Sequence, residues 1–368
     1  MRPALSVIVP VYNGRLQLPR CLEALRRSEF ADFEVLVVDD CSTDSTREIA
    51  ERSGARYLRT PRNVGPGGGR NLGVRHARGD VVVFVDADVV VAPSALGYIA
   101  EDFARDPELA AMFGSYDEKP AWPDFLSQYK NLMHYYVHQQ SGTRAVTFWA
   151  GCGAVRKRVF EEFGGFNTRK YPNPSIEDIE LGTRLALAGR NILLDKRVYS
   201  KHLKRWTVRG LWRADVFYRA IPWTNLILES KHMPVDLNLT RGAQISSGLV
   251  GLLVAGLLLL PLTLFDGFAR LLPWLAPGRV GAALLVMAAV ILALNWRVYR
   301  WFARQRGPTF AAGAVVAHWA YYFYCGVVFA LCWLNQRVLG RALAPLNAGL
   351  AASGEGGAAS SAPTGAEG

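Results

Sequence analysis

The chain has 368 residues, enough for a large soluble domain plus a second, differently built part, and its net charge is +11, from 42 Lys and Arg against 31 Asp and Glu. Much of the excess is Arg beside the apolar C-terminal half, which favours a membrane surface and phosphate-bearing ligands; no zinc-finger or other nucleic-acid motif occurs, so nucleic acid is not an expected partner. The five cysteines (Cys21, Cys41, Cys152, Cys325, Cys332) are odd in number and lack CxxC spacing, which argues against a disulfide framework or zinc site and for a reducing compartment.

Met1-Arg2-Pro3-Ala4 runs straight into an apolar segment, so no cleavable signal peptide is expected. Residues 5–11 read as a short buried strand ending in the turn Tyr12-Asn13-Gly14. Leu16, Leu18, Cys21, Leu22 and Leu25 then recur at helical spacing. Residues 33–39 form a second buried strand ending at Asp39-Asp40-Cys41, with Ser42, Thr43 and Asp44 as N-cap candidates for a helix that Gly54 stops. Residues 55–58 give a weaker third strand. The Gly-rich stretch 63–70 reads as a loop leading into a helix through Ala77; its glycines either let phosphates approach backbone amides or simply make a flexible turn. A dinucleotide fingerprint is disfavoured, because it belongs after the first strand and that turn holds only Gly14.

Residues 81–91, Val-Val-Val-Phe-Val-Asp-Ala-Asp-Val-Val-Val, read as one strand buried on both faces. Residues two apart in an extended segment point the same way, so Asp86 and Asp88 would present two charges side by side. Burying like charges is costly unless a proton or cation relieves them. A hard divalent ion arriving with substrate phosphates would do so; the alternative is a polar turn that ends the strand. Short apolar runs alternating with helices have the rhythm of an α/β, doubly wound, mainly parallel sheet, whose sites form at the carboxyl ends of strands. Tyr12-Asn13, Asp39-Asp40 and Asp86/Asp88 all fall at such ends.

Beyond Pro93 the pattern predicts a helix to about residue 105 and a strand over 109–115. An aromatic-rich helix follows over 122–140, then an extended segment over 146–155. Gly151 and Gly153 in that segment fit either close passage of a ligand or an edge bulge. A helix over 174–189 opens with Ser175 in capping-box register with Asp178, so Asp178 is either a cap or a carboxylate free to act as general base. Arg205, Arg209, Arg213 and Arg219 alternate with Leu211, Trp212, Phe217, Ile221 and Trp223, which suits a helix in a membrane interface or an Arg face packed on the domain. Residues 245–265, 280–296 and 310–334 are apolar enough for about three spans. Arg297, Arg300, Arg304 and Arg306 mark the connection between the second and third spans as cytoplasmic; the loop with Arg270 and Arg279 is then outside and the N-terminal domain cytoplasmic, at the cell (inner) membrane. The expected division is a domain over 1–200, an amphipathic region over 201–240, membrane helices over 241–340 and a disordered tail over 341–368.

Taken together, Val9-Pro10-Val11-Tyr12-Asn13, Val37-Val38-Asp39-Asp40-Cys41-Ser42-Thr43-Asp44, Arg62-Asn63-Val64-Gly65 with Arg70-Asn71, Asp86-Ala87-Asp88 and Glu177-Asp178 resemble the family 2 glycosyltransferases, over roughly residues 4 to 225. These are inverting enzymes of the GT-A type, Rossmann-like, that use nucleotide-sugar donors. The resemblance implies nucleotide-sugar contacts from Pro10, Tyr12, Asn13, Asp39, Asp40, Asn63, Arg70, Asp86 and Ala87. Asp86 and Asp88 would hold Mg2+ or Mn2+, Asp178 would be the base, and Glu177, Arg205 and Trp206 would face the acceptor. Polymerising members carry Gln-x-x-Arg-Trp where this chain reads His202-Leu203-Lys204-Arg205-Trp206, which argues against processive synthesis. The implied activity is transfer of a sugar from a nucleotide-diphosphate sugar to a lipid or lipid-linked saccharide hydroxyl at the cytoplasmic membrane face. A polyprenyl-phosphate acceptor, or a non-catalytic nucleotide-sugar-binding membrane subunit, are the alternatives.

Overall fold

The computed structural model describes residues 2–231, 233, 237–265 and 275–340. Arg270 and the tail over 341–368 lie outside them. The strands are β1 (Leu5–Val11), β2 (Phe33–Asp39), β3 (Arg56–Arg59), β4 (Val81–Val85), β5 (Val89–Val91), β6 (Leu109–Tyr116), β7 (Cys152–Arg156) and β8 (Asn191–His202). Interleaved with them run α1 (Leu18–Arg26), α2 (Thr46–Arg52), α3 (Gly65–His76), α4 (Ala95–Arg105), α5 (Phe125–Gln140), α6 (Lys157–Glu162) and α7 (Glu177–Leu187). The remaining helices are α8 (Val208–Arg213), α9 (Ile221–Ser230), α10 (Arg241–Leu259), α11 (Pro277–Leu294), α12 (Trp296–Arg306) and α13 (Pro308–Leu339). A wide-turn π segment, Ala214–Ala220, joins α8 to α9.

All eight strands form one sheet in the order β3-β2-β1-β4-β7-β6-β8-β5. Parallel pairing joins β1, β2, β3 and β4, and also β6 and β8; β7 and β5 run antiparallel to their neighbours. The result is a mainly parallel, mixed, Rossmann-like sheet. The continuous apolar run of β4 follows from burial on both faces: Val81, Val83 and Val85 pack into one core layer, Val82 and Phe84 into the other. Phe84 meets Phe148, Phe160 and Phe166 with ring centroids 5.2–6.4 Å apart.

Residues 81–91 are two strands, not one. The chain turns at Asp86-Ala87-Asp88, and Val89–Val91 pair with the end of β8 at the far edge of the sheet. Four backbone steps from Val85 to Val89 reach at most about 14 Å, while four strand spacings on a flat sheet need about 19 Å. The sheet therefore curls until its last strand meets the tip of β4. Strand β8, unforeseen in the sequence, makes this possible; its register shifts between the pairs Phe113↔Leu194 and Ser115↔Tyr199, which bends it.

Two further differences concern α3 and α7. The glycine run is helical from Gly65, not a loop, because the Asp40 carboxylate receives the amides of Val64 and Gly65, both at 2.8 Å. The glycines serve packing: a Cβ on Gly73 would lie 2.5 Å from Ile8 Cγ2 in β1. Helix α7 starts at Glu177 with Ile176 as its N-cap and no side-chain cap; the Ser175 hydroxyl donates instead to the Tyr218 carbonyl at 3.1 Å. Asp178 is thereby released from the capping box. Three helices, Arg241–Leu264 (α10 and its 3-10 extension), α11 and α13, are long and apolar enough to cross a membrane.

Candidate active site

The carboxyl ends of β1, β2 and β4 lie on one rim because these strands are parallel neighbours. Tyr12 is more than half exposed there, its ring free for a planar ligand. Asn13, at φ 52°, donates its amide to Ser42 Oγ (2.8 Å) and accepts the Thr43 amide at Oδ1 (2.9 Å), which ties the two rim turns together. Asp39 is buried and accepts from the Ser42 amide (2.8 Å) and the Tyr57 hydroxyl (2.6 Å). Asp40 accepts the Thr60 hydroxyl (2.8 Å) besides the two α3 amides, and Asn63 Nδ2 donates to its carbonyl (3.3 Å). Both aspartates thus shape the rim through protein contacts, while Pro10, Tyr12, Asn13, Asp40 and Asn63 line the cavity above it.

Arg70 is the hub. Its guanidinium, almost wholly buried, donates to Asp86 Oδ1 at 2.6 Å and to Glu177 Oε1 at 2.8 Å, and leaves Nε without a partner. Glu177 also receives the Ser175 amide at 3.0 Å, so this carboxylate orients Arg70 and the loop before α7. Across the turn, Asp88 Oδ2 lies 3.2 Å from His202 Nε2, a contact fixed by the antiparallel register Val89↔His202. Burial, only partly offset by Arg70 and reinforced by Asp88, raises the Asp86 carboxyl above its ordinary range. At Asp88 burial is outweighed by His202, and the carboxyl is held low. Such a like-charge pair is relieved by a cation.

Among the described residues, no group of three or more His, Cys, Asp or Glu side chains is preassembled for a metal ion. The donor chemistry nevertheless fits. Both residues line the cavity, and Asp86 commits Oδ1 to Arg70 while Asp88 commits Oδ2 to His202, so the second hard oxygen of each carboxylate is not spent on these partners. Mg2+ or Mn2+ takes one or two carboxylates and completes its shell from substrate phosphates and water.

Asp178 is partly exposed to the cavity. Its Oδ2 accepts the Ala150 amide (3.0 Å) and its Oδ1 the Ile179 amide (2.8 Å). Burial and the neighbouring Glu177 charge push its pKa up to about 6. The cavity holds about 1930 Å3 and runs from this rim to the membrane-length helices, where Gln244, Gly251, Tyr321 and Tyr324 line it. Trp206 lines it too, its indole Nε1 buried without a partner, whereas Arg205 faces away, stacked over Trp122 (5.3 Å) and 3.6 Å from Asp124. His202, Tyr116 and Trp149 form an aromatic wall that sequence reasoning missed, with Tyr116 stacked on His202 at 5.2 Å and edge-on to Trp149 at 4.8 Å. The sequence marks His202 only as a departure from the Gln-x-x-Arg-Trp pattern; its place on the site rim follows from β8, which it closes.

Residues 6–164 match the family model described as Glycosyl transferase family 2. An uncharacterized glycosyltransferase of Haemophilus influenzae is 27% identical over 178 residues, covering 45% of this chain and 56% of that protein. The poly(ribitol-phosphate) beta-N-acetylglucosaminyltransferase TarS of Staphylococcus aureus is 42% identical over 91 residues, covering 23% of this chain and 16% of that one. The chain thus spans from about a sixth to just over half of these relatives. In fold it is similar to the mannosyltransferase PcManGT of Pyrobaculum calidifontis, solved with GDP-Man and Mn2+: TM-score 0.54, 21% identity, 91% of this chain and 88% of that chain covered.

Proposed function

We propose that this chain, whose residues 6–164 match the model of the family 2 glycosyl transferases, inverts the anomeric centre as it moves a sugar from a nucleotide-diphosphate donor to a hydroxyl of a lipid or lipid-linked saccharide. In this reading residues 1–200 are the transferase domain, the amphipathic region over 201–240 lies in the cytoplasmic interface and 241–340 anchor the chain in the inner membrane. One observation carries the reading: Tyr12, Asp86, Asp88 and Asp178 share a single cavity with Tyr321 and Tyr324 of a membrane-length helix.

The donor base stacks on the exposed Tyr12 ring, and its ribose lies against the rim of Asn13 and Asp40. Asp86 and Asp88 would hold a divalent ion, which would supply Lewis-acid stabilisation of charge on the leaving oxygen. Arg70 fixes the Asp86 carboxylate and is itself fixed by Glu177, so neither reorganises as that charge develops. Asp178, held by two amides, takes the proton of the acceptor hydroxyl. Its raised pKa brings its basicity closer to neutral pH, which suits a general base. TarS is named as a beta-N-acetylglucosaminyltransferase acting on poly(ribitol-phosphate), which fits sugar transfer, and PcManGT was solved with GDP-Man and Mn2+, which fits a metal-assisted use of a nucleotide sugar.

The test uses the full chain in detergent with a panel of nucleotide sugars and a glycolipid acceptor. Asp178→Asn should lower transfer by about 10²–10⁴-fold, with nucleotide binding within two-fold of wild type, and EDTA should abolish transfer until Mn2+ is restored. Transfer that survives Asp178→Asn, or that runs only on polyprenyl phosphate, would overturn the assignment of a hydroxyl acceptor. The phosphate acceptor is the second reading, favoured by cations inside the cavity, but it leaves Asp178 idle because a phosphate oxygen is already an anion.

A further inference from the structure

Between the Asp86–Asp88 turn and the membrane helices the cavity wall changes sign. Lys130, Lys204 and Arg219 line this part, and the nearby carboxylate is Asp215. Asp215 is already satisfied: it accepts Lys130 Nζ at 2.8 and 3.0 Å and the Tyr324 hydroxyl at 2.7 Å. Arg219 NH1 stands 3.7 Å from Asp215 Oδ1, beyond hydrogen-bond distance. Among the described residues, Lys204 has no carboxylate within ion-pair distance; its Nζ sits 4.4 Å over the Trp206 ring. Burial, against the pull of Asp88, holds the Lys204 ammonium below the ordinary lysine value. Lys204 and Arg219 thus stand on the cavity wall with N–H donors that no carboxylate accepts within hydrogen-bond distance. Cationic donors left open on a cavity wall suit charge-assisted hydrogen bonds to phosphate oxygens.

We infer that Lys204 and Arg219 seat a diphosphate group of the acceptor, so that the acceptor is a saccharide joined to its lipid through diphosphate. The inference rests on the transfer reading above and narrows its acceptor class. A diphosphate diester carries the matching charge, and its lipid runs on toward Tyr321 and Gly251. Its sugar then lies on the other side, toward the carboxylate of Asp178. This arrangement uses both halves of the cavity: the cations hold the phosphate, and Asp178 deprotonates a hydroxyl beyond it. The wide turn over Ala214–Ala220 contributes directly, since it puts Asp215 toward Lys130 and Arg219 toward the cavity from one short segment.

The same two cations could instead serve the donor's diphosphate, and binding measurements separate the two sources without turnover. Farnesyl diphosphate and farnesol are titrated into the full chain in detergent with EDTA present, so that no divalent ion bridges to Asp86. UDP and GDP are titrated separately with Mn2+. Wild type should bind farnesyl diphosphate at least ten-fold more tightly than farnesol. Lys204→Gln and Arg219→Gln should each remove most of that difference while changing nucleoside diphosphate binding less than two-fold; Lys204→Arg and Arg219→Lys should restore it. Unchanged farnesyl diphosphate binding in both variants would overturn the proposal. So would an equal loss of UDP or GDP binding, which would assign the cations to the donor. Asp178→Asn keeps farnesyl diphosphate binding and loses transfer, so failure of the acceptor seat and failure of the transfer reading give different results.

Discussion

Replacing Arg70 with Met removes the one cation that two carboxylates share. The two partners are not equivalent. Glu177 is buried, with its side chain 6% exposed, and cannot rehydrate; the Asp86 side chain, 35% exposed, can. Breaking a buried pair by deleting one partner costs about 3–5 kcal/mol because the other charge is stranded. Nearly all of that should arise at Glu177, with Asp86 contributing less than about 1 kcal/mol after solvent screening. The melting temperature of the intact chain in detergent and EDTA should therefore fall by roughly 10 °C. Adding Glu177→Gln to Arg70→Met should recover about 2 kcal/mol, because a neutral amide is cheaper to bury than a carboxylate. Adding Asp86→Asn in its place should recover little. Equal recovery from the two second changes, or strict additivity of Arg70→Met and Glu177→Gln, would refute the reasoning.

The raised pKa of Asp178 makes transfer pH-dependent: kcat/KM should fall as pH drops below about 6, where the base is protonated, and Glu177→Gln should move that limb to lower pH by removing the like charge. Asp102 behaves oppositely in stability. Burial and Asp195 push its pKa up to about 7, so the folded state holds this proton more tightly than the unfolded chain, and stability is lost as pH rises from the ordinary carboxylate range through about 7. Melting curves of wild type and Asp102→Asn should diverge at pH 8, with the variant higher, and converge at low pH. Gly182→Ala would place a Cβ 2.2 Å from the Phe148 amide nitrogen, pushing α7 off the segment that precedes β7. Overpacking of this kind costs about 1–3 kcal/mol, and kcat should fall with the melting temperature because Asp178 rides on the same helix.

The parallel half of the sheet is legible in the sequence because β1, the second half of β2 and β4 are buried and read as the apolar runs Val7–Val11, Val35–Val38 and Val81–Val85. That same quality hides the break at Asp86. An all-Val segment has no alternation to interrupt, and the partner that ends β4 and begins β5 lies more than a hundred residues downstream in β8. Strand β8 is obscured by its own chemistry: Asp195, Lys196 and Arg197 stand at the register shift, where alternation between inside and outside resets. His202 is lost with it. The acidic residues of the site were visible as types at strand ends, but not their partners. Asp40 spends its carboxylate on the start of α3, and Glu177 spends its on Arg70, 107 positions earlier. Neither pairing leaves a local signature.

The curl of the sheet has a consequence for how this chain tolerates change in length. Asp86-Ala87-Asp88 is anchored at one end by the β4 ladders to β1 and β7, and at the other by the pairing of Val89–Val91 with β8. An added or deleted residue there would have to shear one of these ladders, flipping every side chain of the displaced strand to the opposite face. Substitution within the turn alters the chemistry it offers, whereas insertion unfastens the sheet. A one-residue insertion between β4 and β5 should therefore cost far more stability than one at the exposed pair Glu118-Lys119.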